Sequence, residues 1–300
     1  MELWIPITLV AALAQTTRTA IQRQMKGPLG DYGASAIRFI YAVPFAWLWL
    51  LVILILSKQD FPKPSFEFVI WSVIGGISQI LFTVFLIKLF SYKNFLVGVA
   101  FSKFEVLLAA IIEASFFSAI ITTQFGLAIV IGIVSMLLLS LRTSTFSFTE
   151  LRISLYSKST IFGLFSATSL AVSVVSFRTA INTFPDIDFV FRASVTAALV
   201  IVGQALGFVI FLYISRRREL KAAFTLWKPA MAAGFFGAVS TAAWFSAFAL
   251  QRAAPVRAVG QSELLFALAF TVLLFHQRLT KIELAGVFLL IGSILLVILN

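Results

Sequence analysis

Charged side chains inside long apolar segments are the residues of this sequence most able to do chemistry. Arg18 begins the tetrapeptide RTAI, and Arg178 begins the same tetrapeptide about 160 residues further along the chain. An ionised side chain in a bilayer core costs about 3 kcal/mol or more, so it normally faces the protein interior and a partner. The recurrence indicates two copies of one structural unit, each with an arginine inside an apolar helix.

Other residues of the two halves match in the same order. The matched pairs are separated by about 154–160 residues: Arg18 and Arg178, Arg38 and Arg192, Gly76 and Gly234, Thr83 and Thr241, Glu105 and Glu263, and Gly132 and Gly292. This pattern predicts a repeat of five helices plus five helices. Because five is odd, the second copy enters the membrane from the opposite side, which is the inverted-repeat plan of many secondary transporters.

Each half supplies two arginines and one glutamate at similar predicted depths. At about 1.5 Å per residue, Arg18 and Arg38 lie about 10 Å from the cytoplasmic side and Glu105 about 15 Å. Arg178, Arg192 and Glu263 form the mirrored layer. Two interpretations stay open: the glutamates are buried counter-ions that hold helices together, or both clusters contact substrate or act as gates. Four arginines against two glutamates leave positive charge that a substrate carboxylate or phosphate would meet.

Uncharged polar residues accompany these charges along the predicted helices. A cavity is predicted between the halves near the midplane, lined by the first, third, fourth, sixth, eighth and ninth helices. Each Ser or Thr on these helices has an alternative role as a helix–helix hydrogen bond. The further candidates for substrate binding or gating are Gln15, Thr19, Gln79, Thr241, Trp244 and Gln261.

Composition places the chain in lipid. The 300 residues are 61% hydrophobic and 12% charged, whereas soluble domains are about 25% charged. There is no cysteine and a single histidine, His276, so we expect no disulfide, no thiolate nucleophile, no metal site, no cofactor and no catalytic residues. We therefore expect a protein that is not an enzyme.

The charge of the chain does not indicate nucleic acid. The net charge of +11 comes from basic residues clustered in short loops, as expected when charge orients a membrane protein. The expected partners are the lipid bilayer and a small molecule with an anionic group. We expect a monomer or homodimer that binds no nucleic acid.

Ten apolar runs of about 20 residues predict an all-α integral membrane protein with ten transmembrane helices. Residues 1–141 form the first repeat, residues 142–159 a connector, and residues 160–300 the second repeat. The more basic loops, including residues 216–228, are predicted to be cytoplasmic. The chain is then expected to cross the plasma (inner) membrane several times, with both termini on its outer side.

The last two runs carry a family resemblance. Residues 263–267, 273–280 and 284–292 show an apolar helix, a short turn, a threonine helix start and a helix with two glycines. This pattern resembles the end of an EamA-type repeat of the drug/metabolite transporter superfamily. One departure is His276-Gln277, where the family usually has glycine and glutamate. The resemblance implies the ten-helix fold and a carrier of small metabolites, often an exporter of amino acids.

The leading functional interpretation is a secondary transporter that exports an amino acid or organic acid by alternating access. A proton-independent facilitator of another small solute remains an alternative. So does a non-transporting membrane assembly or lipid-binding subunit, although such a subunit would not need a symmetric set of buried charges. An intramembrane enzyme would need a nucleophile–base pair or a metal site.

Overall fold

The computed structural model describes residues 3–57, 60–117, 123–141, 153–154, 156–184, 188–250, 256 and 259–298. Most of the predicted connector, residues 142–152 and 155, lies outside them. No strand occurs among the described residues. The helices are α1 (Trp4–Ile40), α2 (Val43–Ser57), α3 (Phe66–Leu89), α4 (Phe95–Lys103), α5 (Glu105–Phe117), α6 (Thr123–Ser140), α7 (Lys158–Asn182), α8 (Phe189–Ser215), α9 (Arg217–Thr225), α10 (Trp227–Leu250), α11 (Ser262–Ala269) and α12 (Lys281–Ile298), with a π-helical turn (Phe270–Leu274) after α11.

Helix α1 is a hairpin of two arms that meet at Gly30. Gly30 has φ +70° and ψ 179°, a conformation that glycine adopts without a Cβ penalty. The Gln22 Nε2 donates to the Ala34 carbonyl at 2.9 Å, although these residues would be about 18 Å apart in a straight helix. The chain therefore reverses its direction after the first predicted apolar run. The second predicted run is interrupted between Ile40, where α1 ends, and Val43, where α2 begins.

The chain forms two compact units, and each takes residues from both predicted repeats. Unit 1 comprises Met1–Ile80 and Ser173–Glu263, and unit 2 comprises Leu81–Val172 and Leu264–Asn300. Unit 1 thus holds α1, α2, most of α3, the end of α7 and α8 to α10. Unit 2 holds α4 to α6, the beginning of α7, most of α11 and α12.

In unit 1, α2 packs on α8 through a small apolar cluster. Leu50 of α2 is buried with Phe191 and Val195 of α8, which removes their apolar surface from solvent. The Trp49 Nε1 donates to the Ser194 Oγ at 3.0 Å beside this cluster. The partly buried indole N–H therefore has the hydrogen-bond partner that a tryptophan usually finds when it is removed from water.

In unit 2, two equivalent serine hydrogen bonds join α6 to α12, beside a third bond from the Gln124 Nε2 to the Leu296 carbonyl. The Ser135 Oγ donates to the Gly286 carbonyl at 2.8 Å, and the Ser293 Oγ donates to the Ala128 carbonyl at 2.7 Å. The two donors are 158 residues apart (293 − 135), and the two acceptors are also 158 residues apart (286 − 128). The contact is therefore reciprocal: each helix gives its partner the bond that it receives.

Both repeat-related glutamates stand in the first turn of a helix. The fourth run, predicted as one helix over residues 95–117, is divided at Phe104 into α4 and α5, and α5 begins with Glu105. Glu263 occupies the corresponding place in α11. A carboxylate near a helix N-terminus interacts favourably with the helix dipole. This electrostatic preference favours a glutamate at each of these two positions.

The outer surface of the helices is apolar. Leu48, Ile55 and Leu56 of α2 are 59%, 65% and 73% exposed, an arrangement that suits lipid rather than water. Four segments are both long and apolar enough to cross a membrane among the described residues: Trp4–Ser57, Phe66–Leu89, Lys158–Asn182 and Val190–Ser215. The prediction of an all-helical chain with several membrane-spanning helices is confirmed in this general form, and the count of ten stays a prediction.

Candidate functional site

The candidate site lies in unit 1, where α10 packs closely on α1. Small residues of α10 permit the approach: Gly234 packs on the backbone of Tyr41, and a Cβ on Gly237 would lie 3.4 Å from the Arg18 Cδ. The Ser240 Oγ donates to the Ala11 carbonyl at 3.2 Å. Small residues that bring two backbones together are typical of helix pairs in membranes.

Gln15 of α1 connects two residues of the second predicted repeat. Its Nε2 donates to the Glu263 Oε2 at 2.6 Å. Its Oε1 accepts a hydrogen bond from the Trp244 Nε1 at 3.3 Å. The amide thus uses a donor on one side and an acceptor on the other, which fixes its orientation.

The Trp244 ring in turn positions the segment before α11. A Cβ on Gly260 would lie 2.6 Å from the indole Cη2, so only glycine admits the ring at this distance. Gln261 follows at 7% exposure, and Glu263 is 2% exposed. Trp244 therefore contacts Gln15, which binds Glu263, and also Gly260, which lies three residues before Glu263 in the chain.

Arg18 adds positive charge to this cluster. The side chain is 4% exposed and interacts electrostatically with Glu263. The charge of Arg38, which is 8% exposed, acts against that of Arg18. Among the described residues of unit 1, the buried charged side chains are these two arginines and Glu263. Their formal sum is one positive charge.

Two threonines predicted for the site bond to carbonyls of their own helices. The Thr19 Oγ1 donates to the Gln15 carbonyl at 2.8 Å and lies 3.5 Å from the Arg18 Nη2. The Thr241 Oγ1 donates to the Gly237 carbonyl at 3.0 Å. Thr19 therefore contacts the cluster through Arg18, whereas the Thr241 hydroxyl bonds to a carbonyl within α10.

A second polar contact of unit 1 joins α3 to α8. The Gln204 Nε2 donates to the Gln79 Oε1 at 2.9 Å and to the Gly76 carbonyl at 3.1 Å. Gln79 was a predicted site residue, but Gln204 was not. A glutamine in the middle of the apolar run that forms α8 was the available signal.

Of the remaining predicted charges, two belong to unit 1 and one belongs to unit 2. Arg178 of α7 is exposed, and the Arg192 Nη1 donates to the Phe184 carbonyl at 3.3 Å. Glu105 is 8% exposed and belongs to unit 2. The grouping of Arg18 and Arg38 with Glu105, and of Arg178 and Arg192 with Glu263, stays a prediction.

The unusual turn residue Gln277 has a structural partner in unit 2. Its Oε1 accepts from the Phe95 N–H at 3.1 Å, at the first residue of α4. The neighbouring Asn94 Nδ2 donates to the Glu283 Oε1 at 2.8 Å, and the Glu283 Oε2 accepts from the Thr280 N–H at 2.9 Å. Gln277 and Glu283 therefore satisfy groups at the starts of α4 and α12.

No group of three or more His, Cys, Asp or Glu side chains that could hold a metal ion occurs in the described part of the chain. The arrangement around Glu263 consists of an amide, an indole N–H, a carboxylate and guanidinium groups. Such a set can bind and exchange charged partners by hydrogen bonds.

Apolar helices with exposed aliphatic faces and a buried polar cluster define a multi-pass membrane protein. Residues 157–299 match the EamA-like transporter family, which is part of the drug/metabolite transporter superfamily, and the resemblance seen in the sequence is confirmed over this range. The chain is similar to one solved structure, described only as the crystal structure of a protein, with a TM-score of 0.54 and 13% sequence identity. The alignment covers 97% of this chain and 95% of the other. That likeness concerns the fold alone. Comparison with curated proteins found no significant match.

Proposed function

We propose that the chain is a secondary transporter that exports a small metabolite across the plasma (inner) membrane by alternating access. Its substrate carries an anionic group, and an amino acid or an organic acid fits best. The EamA match over residues 157–299 supports the transporter class. The observation that carries the substrate class is the buried positive surplus of Arg18 and Arg38 over Glu263.

The surplus favours an anion because guanidinium groups bind carboxylates through a planar fork of N–H donors. The carboxylate of Glu263 accepts a hydrogen bond from the Gln15 amide at 2.6 Å and acts electrostatically on Arg18. An incoming carboxylate would compete with Glu263 for this positive charge. Substrate then shifts the balance between two arrangements through its different affinity for each.

The inverted five-helix repeat is part of the same proposal. It is supported by the reciprocal serine bonds between α6 and α12, whose donors and acceptors share one spacing of 158 residues (293 − 135 and 286 − 128). Helices related by a two-fold axis make contacts in such equivalent pairs. A reporter fused after residue 300 tests the predicted outside location of the C-terminus, and activity only in the cytoplasm would contradict it.

Transport in proteoliposomes tests the function. Purified protein is assayed with labelled amino acids, organic acids and, as a matched negative set, amines without a carboxylate. Glu263→Gln and Glu105→Gln are expected to change transport more than the melting temperature, since each removes a charge but keeps the side-chain shape. Transport of amines alone would contradict the substrate class.

The same variants separate transporter from facilitator. If Glu105→Gln and Glu263→Gln both transport normally across a pH range, neither carboxylate drives gating or proton coupling. The charges would then have a structural role, and selectivity would lie in Ser, Thr and Gln residues. No transport of any panel member by folded protein would contradict the proposal as a whole.

A further inference from the structure

We propose that α9 (Arg217–Thr225) forms a binding site for the headgroup of an anionic phospholipid. The helix begins directly after α8, which ends at Ser215, and is followed by α10 from Trp227. Residues 190–215 are long and apolar enough to span a membrane, and α10 is a further apolar helix of 24 residues. Chain connectivity therefore places α9 where the polypeptide leaves and re-enters the bilayer.

One face of α9 is used within unit 1. The Glu219 Oε2 accepts from the Gly33 N–H at 2.7 Å, just after the Gly30 turn of α1. Ala223, four residues later and so on the same face, is fully buried. The carbonyl of Ala223 accepts from the Tyr41 hydroxyl at 3.2 Å. This face is committed to α1 and to the turn that follows it.

The opposite face of α9 is cationic. Arg217, Arg218 and Lys221 are exposed, and the only acidic residue in the sequence of α9, Glu219, points to Gly33. The Arg217 guanidinium lies 4.7 Å from the centre of the Tyr213 ring, and its Nε donates to the Tyr213 carbonyl at 2.9 Å. These contacts hold one positive group in a defined place at the surface.

An open pocket of about 500 Å³ lies on this face. Its lining combines basic, aromatic and hydroxyl side chains, namely Tyr213, Arg217, Leu220, Lys221, Phe224 and Thr225. Arg217 and Lys221 are four residues apart on the helix, so both can reach one phosphodiester. Charge complementarity thus selects an anionic headgroup.

The exposed aromatic residues favour a lipid over a soluble phosphate as the ligand of this site. Tyr213 is 58% exposed, Phe224 is 50% exposed and Trp227 is 49% exposed. Exposed aromatic rings are typical of the membrane–water interface. They offer apolar surface to the glycerol and upper acyl chains, for which inorganic phosphate has no counterpart. The inference does not depend on what the protein transports.

Lipid titration of the full-length protein in detergent tests the site. Dioleoyl-phosphatidylglycerol and dioleoyl-phosphatidylcholine are compared by native mass spectrometry and by melting temperature. The variant pair is Arg217→Gln with Lys221→Gln. The matched control is Arg278→Gln with Lys281→Gln, two exposed basic residues of unit 2 that change net charge equally.

Anionic lipid is expected to bind the wild type more tightly than phosphatidylcholine. Attraction to anionic lipid corresponds to about fivefold in affinity per basic residue, so the Arg217/Lys221 pair should lose about 25-fold and the control less than twofold. Equal losses in both pairs, or equal binding of both lipids, would overturn the proposal. Displacement of phosphatidylglycerol by millimolar inorganic phosphate would indicate a soluble-anion site instead. Unchanged melting in phosphatidylcholine verifies that the variants fold.

Discussion

Two of the helix pairs that join the first predicted repeat to the second differ in charge. In unit 1, α1 meets α10; in unit 2, α6 meets α12. Both use small residues and a serine that donates to a carbonyl of the facing helix: Ser240 to Ala11 in the first pair and Ser135 to Gly286 in the second. The shared part is the ordinary chemistry of helix association in lipid.

The α6–α12 pair uses only uncharged polar groups of this kind, with a further bond from the Gln124 Nε2 to the Leu296 carbonyl at 3.1 Å. Its second serine returns the same bond from the other side at 2.7 Å, and the contact is uncharged. The α1–α10 pair additionally buries Arg18 and carries Gln15 and Trp244, which form a chain of hydrogen bonds to Glu263. Since none of the described residues of α6 and α12 is a buried charged side chain, the charges of the α1–α10 pair point to a task besides packing.

Removing Arg18 should have the largest effect. Arg18→Ala removes a buried positive charge that acts electrostatically on Glu263, and removing one charge from a buried set of opposite charges costs about 3 kcal/mol or more. Thermal unfolding of the purified protein should show a marked drop in melting temperature. Arg18→Lys, which keeps the charge, is the control and should melt closer to the wild type. Equal melting of Arg18→Ala and the wild type would show that Glu263 does not depend on this arginine.

Adding a methyl group should distinguish the close α1–α10 contact from an open position in unit 2. A Cβ on Gly234 would overlap the backbone of Tyr41, and overpacking of this kind costs about 1–3 kcal/mol. On Gly292 it would meet nothing within 4 Å in the described part of the chain, so Gly292→Ala should be neutral or stabilise by up to about 1 kcal/mol. The two melting temperatures should therefore move in different directions. A tolerated Gly234→Ala would contradict the close approach.

Trp244→Phe should sharpen the comparison by removing one hydrogen bond from the cluster. The shorter phenylalanine ring lacks the outer indole atoms that contact Gly260, and Gln15 loses the donor at 3.3 Å, a bond worth about 1 kcal/mol. We expect weaker apparent substrate affinity, by about fivefold, with a smaller change in melting temperature. Trp49→Phe, which removes the indole bond to Ser194, is the control and should leave transport affinity unchanged.

The serine bonds of unit 2 should have the smallest effect. Ser135→Ala and Ser293→Ala should each cost about 0.6 kcal/mol, the average for such bonds between membrane helices. Because the bonds are equivalent, the two variants should lower the melting temperature alike. Transport activity at a permissive temperature should stay at the wild-type level. A selective loss of transport in either variant would place function at the α6–α12 contact as well.

Residue type and position singled out several residues of the polar cluster, but their role in substrate binding or gating stays a prediction. Arg18 and Glu263 were predictable because a charge inside an apolar run requires a partner, and Gln15 and Trp244 because they share helices or layers with such charges. The bond between Gln15 and Glu263 joins residues 248 positions apart. Such a contact depends on how helices pack in three dimensions, so spacing in the sequence did not predict it.

Breaks within apolar runs were also missed. Phe104, which separates α4 from α5, lies between Lys103 and Glu105. These two charges were the available signal, but the run was predicted as one helix. The separate helix α9 was seen only as a basic loop, because nine residues are too few for a periodic pattern to stand out. The contact of Glu219 with Gly33 likewise depends on a turn geometry that the sequence marks only by its glycines.

That contact has a consequence for how the protein is made. The hairpin that carries the Gly33 amide leaves the ribosome well before its acceptor, Glu219, which follows 186 residues later. At about 5–20 residues per second, synthesis needs roughly 10–40 s to supply it. During this interval the Gly33 N–H cannot donate to Glu219, so its acceptor is water at the membrane boundary. The N-terminal turn therefore reaches its final bonding only after most of the chain has been translated.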